Sequence, residues 1–163
     1  MSSRQHSAED WRWIGAQLAM FAVGLAGGAI EFLIVGRGYA VLSGIVSTLA
    51  GMFVLGLAAV ILSKSARDLD SNLTAAPTPV DNGQLIDSGI YSHVRHPMYS
   101  GVLVWMLGWS VVFGSWLALA VTVLLIPFLF AKSSHEEKLL RERYSGYVAY
   151  AKRVRRRFIP YLL

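Results

Sequence analysis

The sequence predicts an all-α integral membrane protein, a helical bundle with about four transmembrane helices. Of its 163 residues, 55% are hydrophobic and only 15% are charged, whereas about a quarter are charged in an ordinary soluble domain. Three long stretches carry no charged residue at all: 13–30, 38–63 and 97–131. A helix needs roughly 20 apolar residues to cross a bilayer. The first two stretches therefore predict one crossing each, and the third predicts two.

The helix bounds follow from these stretches, within a single domain that covers residues 1–163. Gly114 and Ser115 interrupt the third stretch near its middle, which predicts a tight C-proximal helical hairpin. The first stretch is too long for the core of a cleaved signal peptide, so we expect it to remain as a membrane helix. The predicted membrane helices are 13–35, 38–63, 99–113 and 116–131, with a connection over 64–98 and a C-terminal helix over 132–158.

The basic residues predict the orientation in the membrane. With four crossings, all but Arg37 of the 15 Lys and Arg residues fall on one side. The positive-inside rule makes that side cytoplasmic. We therefore expect both termini, the 64–98 connection and the C-terminal helix to face the cytoplasm, in the inner (plasma) membrane of the cell. The net charge of +5 is then explained by topology and by membrane lipids as partners, and no nucleic-acid partner is expected.

Chemistry-bearing residues cluster where the 64–98 connection enters the third helix. Arg95, His96 and Tyr99 surround Pro97, which is typical of the first turn of a helix because its missing N–H would be unpaired there anyway. The N-terminus of a helix offers free N–H groups and a positive dipole end. This point therefore suits a polar or anionic ligand.

Two adjacent glutamates, Glu136 and Glu137, lie near the start of the predicted C-terminal helix. On a helix drawn at 100° per residue, Glu136 falls inside an apolar stripe, which is unusual for a solvated helix. Glu137 falls at the edge of that stripe. It has two structural alternatives, a capping box with Ser134 and an ion pair with Arg141 four residues on. Gly146 is a candidate helix break.

Two other interpretations of the sequence are a metal site and a small transporter. A metal site could use His93, His96 and His135, but Pro97 disrupts the helical spacing of the first two, so we expect no metal. A small proton-coupled transporter could use Glu31, because ionisable residues within membrane helices are often functional. A long C-terminal tail with Tyr and Glu on one face argues against a transporter.

A set of motifs over residues 83–160 resembles the isoprenylcysteine carboxyl methyltransferase family and its phospholipid N-methyltransferase relatives. The Arg-His-Pro-x-Tyr element and the Glu-Glu element occur together, which makes the resemblance quite specific. The matching positions are Gly89-x-Tyr91-x-x-x-Arg95-His96-Pro97-x-Tyr99-x-Gly101, then Glu136-Glu137-x-x-Leu140, then Tyr147-x-x-Tyr150 and a basic stretch that ends in Ile159-Pro160.

The resemblance implies an enzyme that binds S-adenosylmethionine between the loop–helix element and the C-terminal helix. Glu136 would meet the methionine end of the cofactor, in keeping with a carboxylate on an apolar face that needs a cationic partner. The other cofactor-binding residues carried over from the family are Leu85, Ile86, Tyr91, Arg95, His96, Pro97, Met98 and Tyr99.

The acceptor is expected to be a lipophilic small molecule or lipid. Lys132 stands where the carboxyl methyltransferases have an arginine, four residues before the glutamate, and a lysine cannot bind a carboxylate in the bidentate manner of an arginine. Methylation of an isoprenylcysteine-like carboxylate is favoured. Methylation of a phospholipid amine is the alternative, and it needs a residue that removes a proton. The expected catalytic residues are Lys132, Glu137 and Tyr99.

Overall fold

The computed structural model describes residues 7–38 and 44–158, and all the regular secondary structure in this part of the chain is helical. The prediction of an all-α protein is therefore confirmed. Short 3₁₀ turns lie at Asp70–Asn72 and Gly89–Ser92. The helices are α1 (Ala8–Val35), α2 (Gly44–Leu69), α3 (Pro97–Phe113), α4 (Trp116–Arg143) and α5 (Tyr147–Arg153).

Three helices are long and apolar enough to span a membrane: α1, α2 with the turn that follows it, and α4. Large apolar side chains on their outer surfaces are exposed, as Leu33 (80%) and Phe53 (76%) illustrate. Exposed apolar surface on this scale fits a lipid environment. The fourth apolar helix, α3, has 17 residues and is about 25 Å long at 1.5 Å per residue, so its crossing stays a prediction.

Helix α1 begins earlier than the predicted residue 13 because it has a capping box. The Ser7 hydroxyl accepts from the Asp10 N–H, and the Asp10 carboxylate accepts from the Ser7 N–H, both at 3.0 Å. Between Val23 and Gly27 the helix widens into a π-helical turn. A Cβ added at Gly28, just after this turn, would lie 2.9 Å from the Ala118 Cβ. The small residues thus let α1 approach α4 closely.

The predicted hairpin is present between α3 and α4. Gly114 has φ 59° and ψ 38°, a left-handed conformation that ends α3. The Ser115 hydroxyl accepts from the Ala118 N–H at 3.0 Å and caps α4. Glu31 completes the turn from α1, because its carboxylate accepts from the Ser115 hydroxyl and from the Leu117 N–H. Glu31 is thus an N-terminal cap for a neighbouring helix, which removes the feature that suggested a transporter.

The predicted single helix over 132–158 is wrong. Helix α4 runs without interruption from the apolar region to Arg143, Tyr144 is extended (φ −120°, ψ 112°), and α5 ends at Arg153. The segment 154–158 is not helical. Its backbone instead accepts from the start of α3, as the Arg95 N–H donates to the Arg156 carbonyl at 2.9 Å. With the matching bond from the His96 N–H to the Arg157 carbonyl at 2.8 Å, this pairing satisfies two of the carbonyls that a helix would have paired internally.

Two other helices also differ from their predicted bounds. Helix α3 begins at Pro97, two residues before the predicted start at 99, and α2 extends farther towards the C-terminus. The helix continues six residues beyond the predicted end at 63, to Leu69. Its predicted start at Gly38 is separated from the observed helix by residues 39–43, which lie outside the described part of the chain, as do Ile159 and Pro160. The C-terminal segment closes the core, which contains Met106, Val121, Leu125, Leu129 and Phe158.

Candidate active site

Two adjoining cavities lie where the α2–α3 connection covers the start of α3 and the second half of α4. We name them the tyrosine cavity, with an empty volume of about 660 Å³, and the lysine cavity, of about 900 Å³, both including their open mouths. The two cavities share Leu69, Thr74, Tyr91, Arg95, His96 and Glu136.

The structure brings most of the sequence-predicted site residues to these cavities. Pro97 is buried at the first turn of α3 and lines neither cavity. Glu137 also lines neither, and contacts the back of Arg95 and His96 instead. The tyrosine cavity is lined by Leu85, Ile86, Tyr91, Arg95, His96 and Glu136 among others. The lysine cavity adds Met98, Tyr99 and Lys132.

Glu136 faces both cavities with an accessible negative charge. The Tyr99 hydroxyl donates to its Oε2 at 2.8 Å, and the His96 Nδ1 lies 3.6 Å from the same oxygen. The rings of His96 and Tyr99 stack with centroids 5.4 Å apart. Within the described residues no Lys or Arg forms an ion pair with this carboxylate, whose side chain is 25% exposed. The arrangement can therefore receive a cationic ligand.

Glu137, in contrast, is buried, and its carboxylate is fully engaged by side chains of the protein. Its side chain is 2% exposed, and its Oε1 lies 2.9 Å from Arg95 Nε, 3.2 Å from His96 Nε2 and 3.3 Å from Arg157 Nε. The predicted capping box with Ser134 is wrong, because α4 continues through this position and the Ser134 hydroxyl donates to the Phe130 carbonyl. Its alternative ion pair, with Arg141, is present at 3.6 Å. Glu137 thus joins α4, the start of α3 and the C-terminal segment.

Lys132 is a buried ammonium without a carboxylate partner in the part of the chain that the structure describes. It is 1% exposed, and its Nζ donates to Gln17 Oε1 at 2.6 Å and to the Ala75 carbonyl at 3.0 Å. It also lies 5.6 Å from the centre of the Tyr99 ring. A buried charge is costly unless it is paired. An anionic group in the lysine cavity would supply the missing partner.

A tyrosine that the sequence did not assign to the site carries an unsatisfied polar atom. The Tyr147 hydroxyl has no hydrogen-bond partner among the described residues although the side chain is 1% exposed, and Tyr147 lines the tyrosine cavity. Burial raises the pKa of Tyr147, with a smaller contribution from the Glu137 charge, so its hydroxyl stays protonated. Nearby, the Tyr150 hydroxyl donates to the Tyr91 carbonyl at 2.8 Å. The Tyr147-x-x-Tyr150 spacing was the available signal for these two residues.

The α2–α3 connection is held over the cavities by contacts between residues that are distant in sequence, which no local sequence pattern predicts. The Thr78 hydroxyl and N–H both donate to the Asp10 carboxylate, at 2.8 to 3.2 Å. The Asp68 carboxylate accepts from the Ile90 N–H at 2.7 Å, next to Gly89 with φ 57°. Gln17 likewise reaches the site from α1. The first helix therefore contributes both to the cavity wall and to its cover.

Together, the apolar helices and the two cavities beside their ends define a helical integral membrane protein with a candidate ligand site. The chain belongs to the phospholipid methyltransferase family, whose sequence profile matches residues 46–146. It is therefore a member of a family of membrane methyltransferases, as the motifs predicted.

Curated relatives agree with this family. The chain is 34% identical over 76 residues to protein-S-isoprenylcysteine O-methyltransferase B of Arabidopsis thaliana, which covers 45% of this chain and 39% of the relative. It is 37% identical over 76 residues to a probable protein-S-isoprenylcysteine O-methyltransferase of Oryza sativa, which covers 45% of this chain and 40% of the relative. The match thus spans about two fifths of the length of these relatives.

Proposed function

We propose that this protein is an S-adenosylmethionine-dependent methyltransferase that acts on a lipophilic acceptor at the membrane surface. The observation that carries the proposal is Glu136, a carboxylate open to both cavities and partnered by the Tyr99 hydroxyl. S-adenosylmethionine bears an ammonium and a sulfonium, so a carboxylate in a largely apolar and aromatic cavity suits it. The unsatisfied Tyr147 hydroxyl supports a polar ligand in the same cavity.

The residues fit the cofactor by their chemistry. Leu85, Ile86 and Tyr91 would hold its apolar and aromatic parts in the tyrosine cavity, while Glu136 would hold the amino-acid end. Met98 and Tyr99 would contact the part of the cofactor that extends into the lysine cavity. Arg95 and His96 line both cavities, and Pro97 supports them at the first turn of α3. When bound, the cofactor supplies an electrophilic methyl group on sulfur. The protein's part is to hold an acceptor atom in line with that methyl and to exclude water.

The acceptor is proposed to carry an anionic group that pairs with Lys132. If this group is a carboxylate, its oxygen attacks the methyl carbon as the carbon–sulfur bond breaks, and no proton has to move. The role of Lys132 is then to hold the carboxylate, and that of Tyr99 is to orient Glu136. Glu137 is proposed as a positioning residue that fixes His96 and Arg95, because it reaches neither cavity.

An amine acceptor on a phospholipid is the second candidate, and the family description favours it. A protonated amine must lose a proton before its nitrogen can attack the methyl carbon. His96 lines both cavities and is the proposed acceptor of that proton.

Methyl transfer to two acceptors tests the proposal. We expect methylation of a prenylcysteine analogue, and expect Lys132→Met to reduce kcat/KM at least about tenfold because a charge-assisted contact is lost. Lys138→Ala, which removes an exposed charge from the same helix, should retain activity. Methylation of phosphatidylethanolamine alone, with Lys132→Met fully active, would contradict the carboxylate assignment. Methylation of neither acceptor would contradict the proposed reaction.

The cytoplasmic location of the site is also a proposal, supported by the basic asymmetry. Because the sequence contains no cysteine, single cysteines can be labelled cleanly. Gln5→Cys and Asp81→Cys should react with a membrane-impermeant reagent from the same, cytoplasmic side. Labelling from opposite sides would contradict this topology.

A further inference from the structure

A third depression in the protein differs from the two cavities in being strongly basic. It has an empty volume of about 640 Å³ including its mouth and lies between the end of α4, α5 and the C-terminal segment. We name it the basic groove. It shares only Arg95 with the tyrosine and lysine cavities. Its charged lining residues are Arg95, Glu137, Arg141, Lys152 and Arg157.

The charges that line the basic groove do not balance. Among the described residues that line it, four side chains are cationic and Glu137 is the one carboxylate. Both of its oxygens are already engaged, Oε1 by Arg95 and Arg157 and Oε2 by Arg141 at 3.6 Å. The groove therefore keeps an excess of positive charge, and its two outer members, Arg141 and Lys152, are exposed.

The inner end of the groove, at Arg157, lies at the depth where the apolar part of α4 ends, and its outer cations Arg141 and Lys152 lie farther from the apolar region. The Arg157 guanidinium is 4.6 Å from the centre of the Phe130 ring, and its NH1 donates to the Ser134 hydroxyl at 2.8 Å. Phe130 is 46% exposed on the apolar part of the helix, and the charge-free stretch ends one residue later. Lipid headgroups begin where the hydrocarbon region ends. An anionic headgroup would therefore meet the groove without leaving the membrane.

We propose that the basic groove binds the phosphate of an anionic phospholipid, as a site separate from the methyl-transfer site. Guanidinium groups recognise phosphate with paired hydrogen bonds, and a lysine adds a point charge. The bound phosphate would connect α5 (Lys152), the end of α4 (Arg141) and the C-terminal segment (Arg157). Occupancy should therefore stabilise the arrangement in which Arg157 and Arg95 hold Glu137 behind the active site.

Native mass spectrometry of the purified full chain tests the proposal with two charge-matched double variants. Arg141→Ala/Lys152→Ala removes two exposed cations of the groove, and Lys138→Ala/Arg155→Ala removes two exposed cations outside it. The wild type should retain one phosphatidylglycerol molecule with at least a tenfold preference over phosphatidylcholine. The groove variant should lose this preference, and the control variant should keep it. Thermal unfolding of each variant, measured without added lipid, verifies that all are folded.

Three results would overturn the proposal. Equal loss of phosphatidylglycerol by the groove and control variants would show that the attraction is diffuse surface charge. Equal affinity of the wild type for phosphatidylglycerol and phosphatidylcholine would show that the headgroup charge is not recognised. Binding of inorganic phosphate that depends on Arg141 and Lys152, without retention of phosphatidylglycerol, would assign the groove to a soluble anion. None of these measurements uses methyl transfer, so the proposed function can fail or stand independently.

Discussion

Replacing the buried carboxylate of Glu137 should destabilise the protein far more than the same change one residue earlier. Glu137→Gln keeps the size of the side chain but removes the charge that faces Arg95, His96 and Arg157. The Arg95 side chain is only 9% exposed, so its guanidinium would lose its carboxylate partner in a nearly dry environment. The Val154 carbonyl, which accepts from Arg95 NH1 at 2.6 Å, and at most one neutral amide oxygen would remain as acceptors for this guanidinium.

The magnitude follows from the burial of the partners. Removing one member of a buried ion pair costs about 3–5 kcal/mol. Arg157 and Arg141 are 21% and 54% exposed, and water compensates much of their loss, so we expect the lower end, about 3 kcal/mol. For a chain of this size, that corresponds to a fall in Tm of roughly 6–12 °C.

Thermal unfolding in detergent, followed by circular dichroism, measures this effect. Glu136→Gln is the matched control, because it makes the same chemical change at a side chain that is 25% exposed and accepts one hydroxyl hydrogen bond. That variant should lose only about 1 kcal/mol. A Tm of Glu137→Gln equal to that of Glu136→Gln would refute the role of Glu137 as the anchor of three segments.

Two further perturbations test the packing and the cover of the cavities. Gly51→Ala should lower stability by about 1–3 kcal/mol, because its Cβ would lie 2.7 Å from the Val112 backbone nitrogen. The control is Gly56→Ala, whose Cβ would meet nothing within 4 Å, so this variant should unfold at the wild-type temperature or above. Equal Tm values of the two variants would refute the close contact of α2 and α3. Thr78→Val removes the hydroxyl that donates to Asp10. It should speed hydrogen exchange in residues 73–80 about fivefold, since one hydrogen bond contributes about 1 kcal/mol. Unchanged exchange would show that this contact does not hold the connection.

The sequence was sufficient to place the apolar helices, although not all of their ends, because their causes are local. Long stretches without a charged residue predicted the apolar helices. Pro97 lies at the first turn of α3 and Ser115 lies at the N-cap of α4 in the structure. The family motifs predicted that His96, Tyr99 and Glu136 line one pocket, and in the structure His96 and Tyr99 approach Glu136 directly. These two elements are about 40 residues apart, and neither predicts the contact alone.

The burial of Glu137 could not be predicted, because its partners Arg95, His96 and Arg157 lie on other segments of the chain. The apolar stripe assumed a single helix over 132–158, but α4 ends at Arg143, Tyr144 is extended and α5 starts at Tyr147. Gln17 and Thr78 were missed for a different reason. Their partners Lys132 and Asp10 are 115 and 68 residues away, and no periodic pattern reports such contacts.

Binding of S-adenosylhomocysteine to the purified protein, measured by calorimetry in detergent, tests the central claim most directly. We predict that the wild type binds it, and that Glu136→Ala and His96→Ala each weaken binding at least about thirtyfold, because a buried charge-assisted contact contributes on the order of 2–4 kcal/mol. Glu142→Ala, which removes an exposed carboxylate from the same helix, should bind as the wild type does. Unchanged affinity in a folded Glu136→Ala variant, or no binding by the wild type, would contradict the assignment of these cavities to the methyl donor.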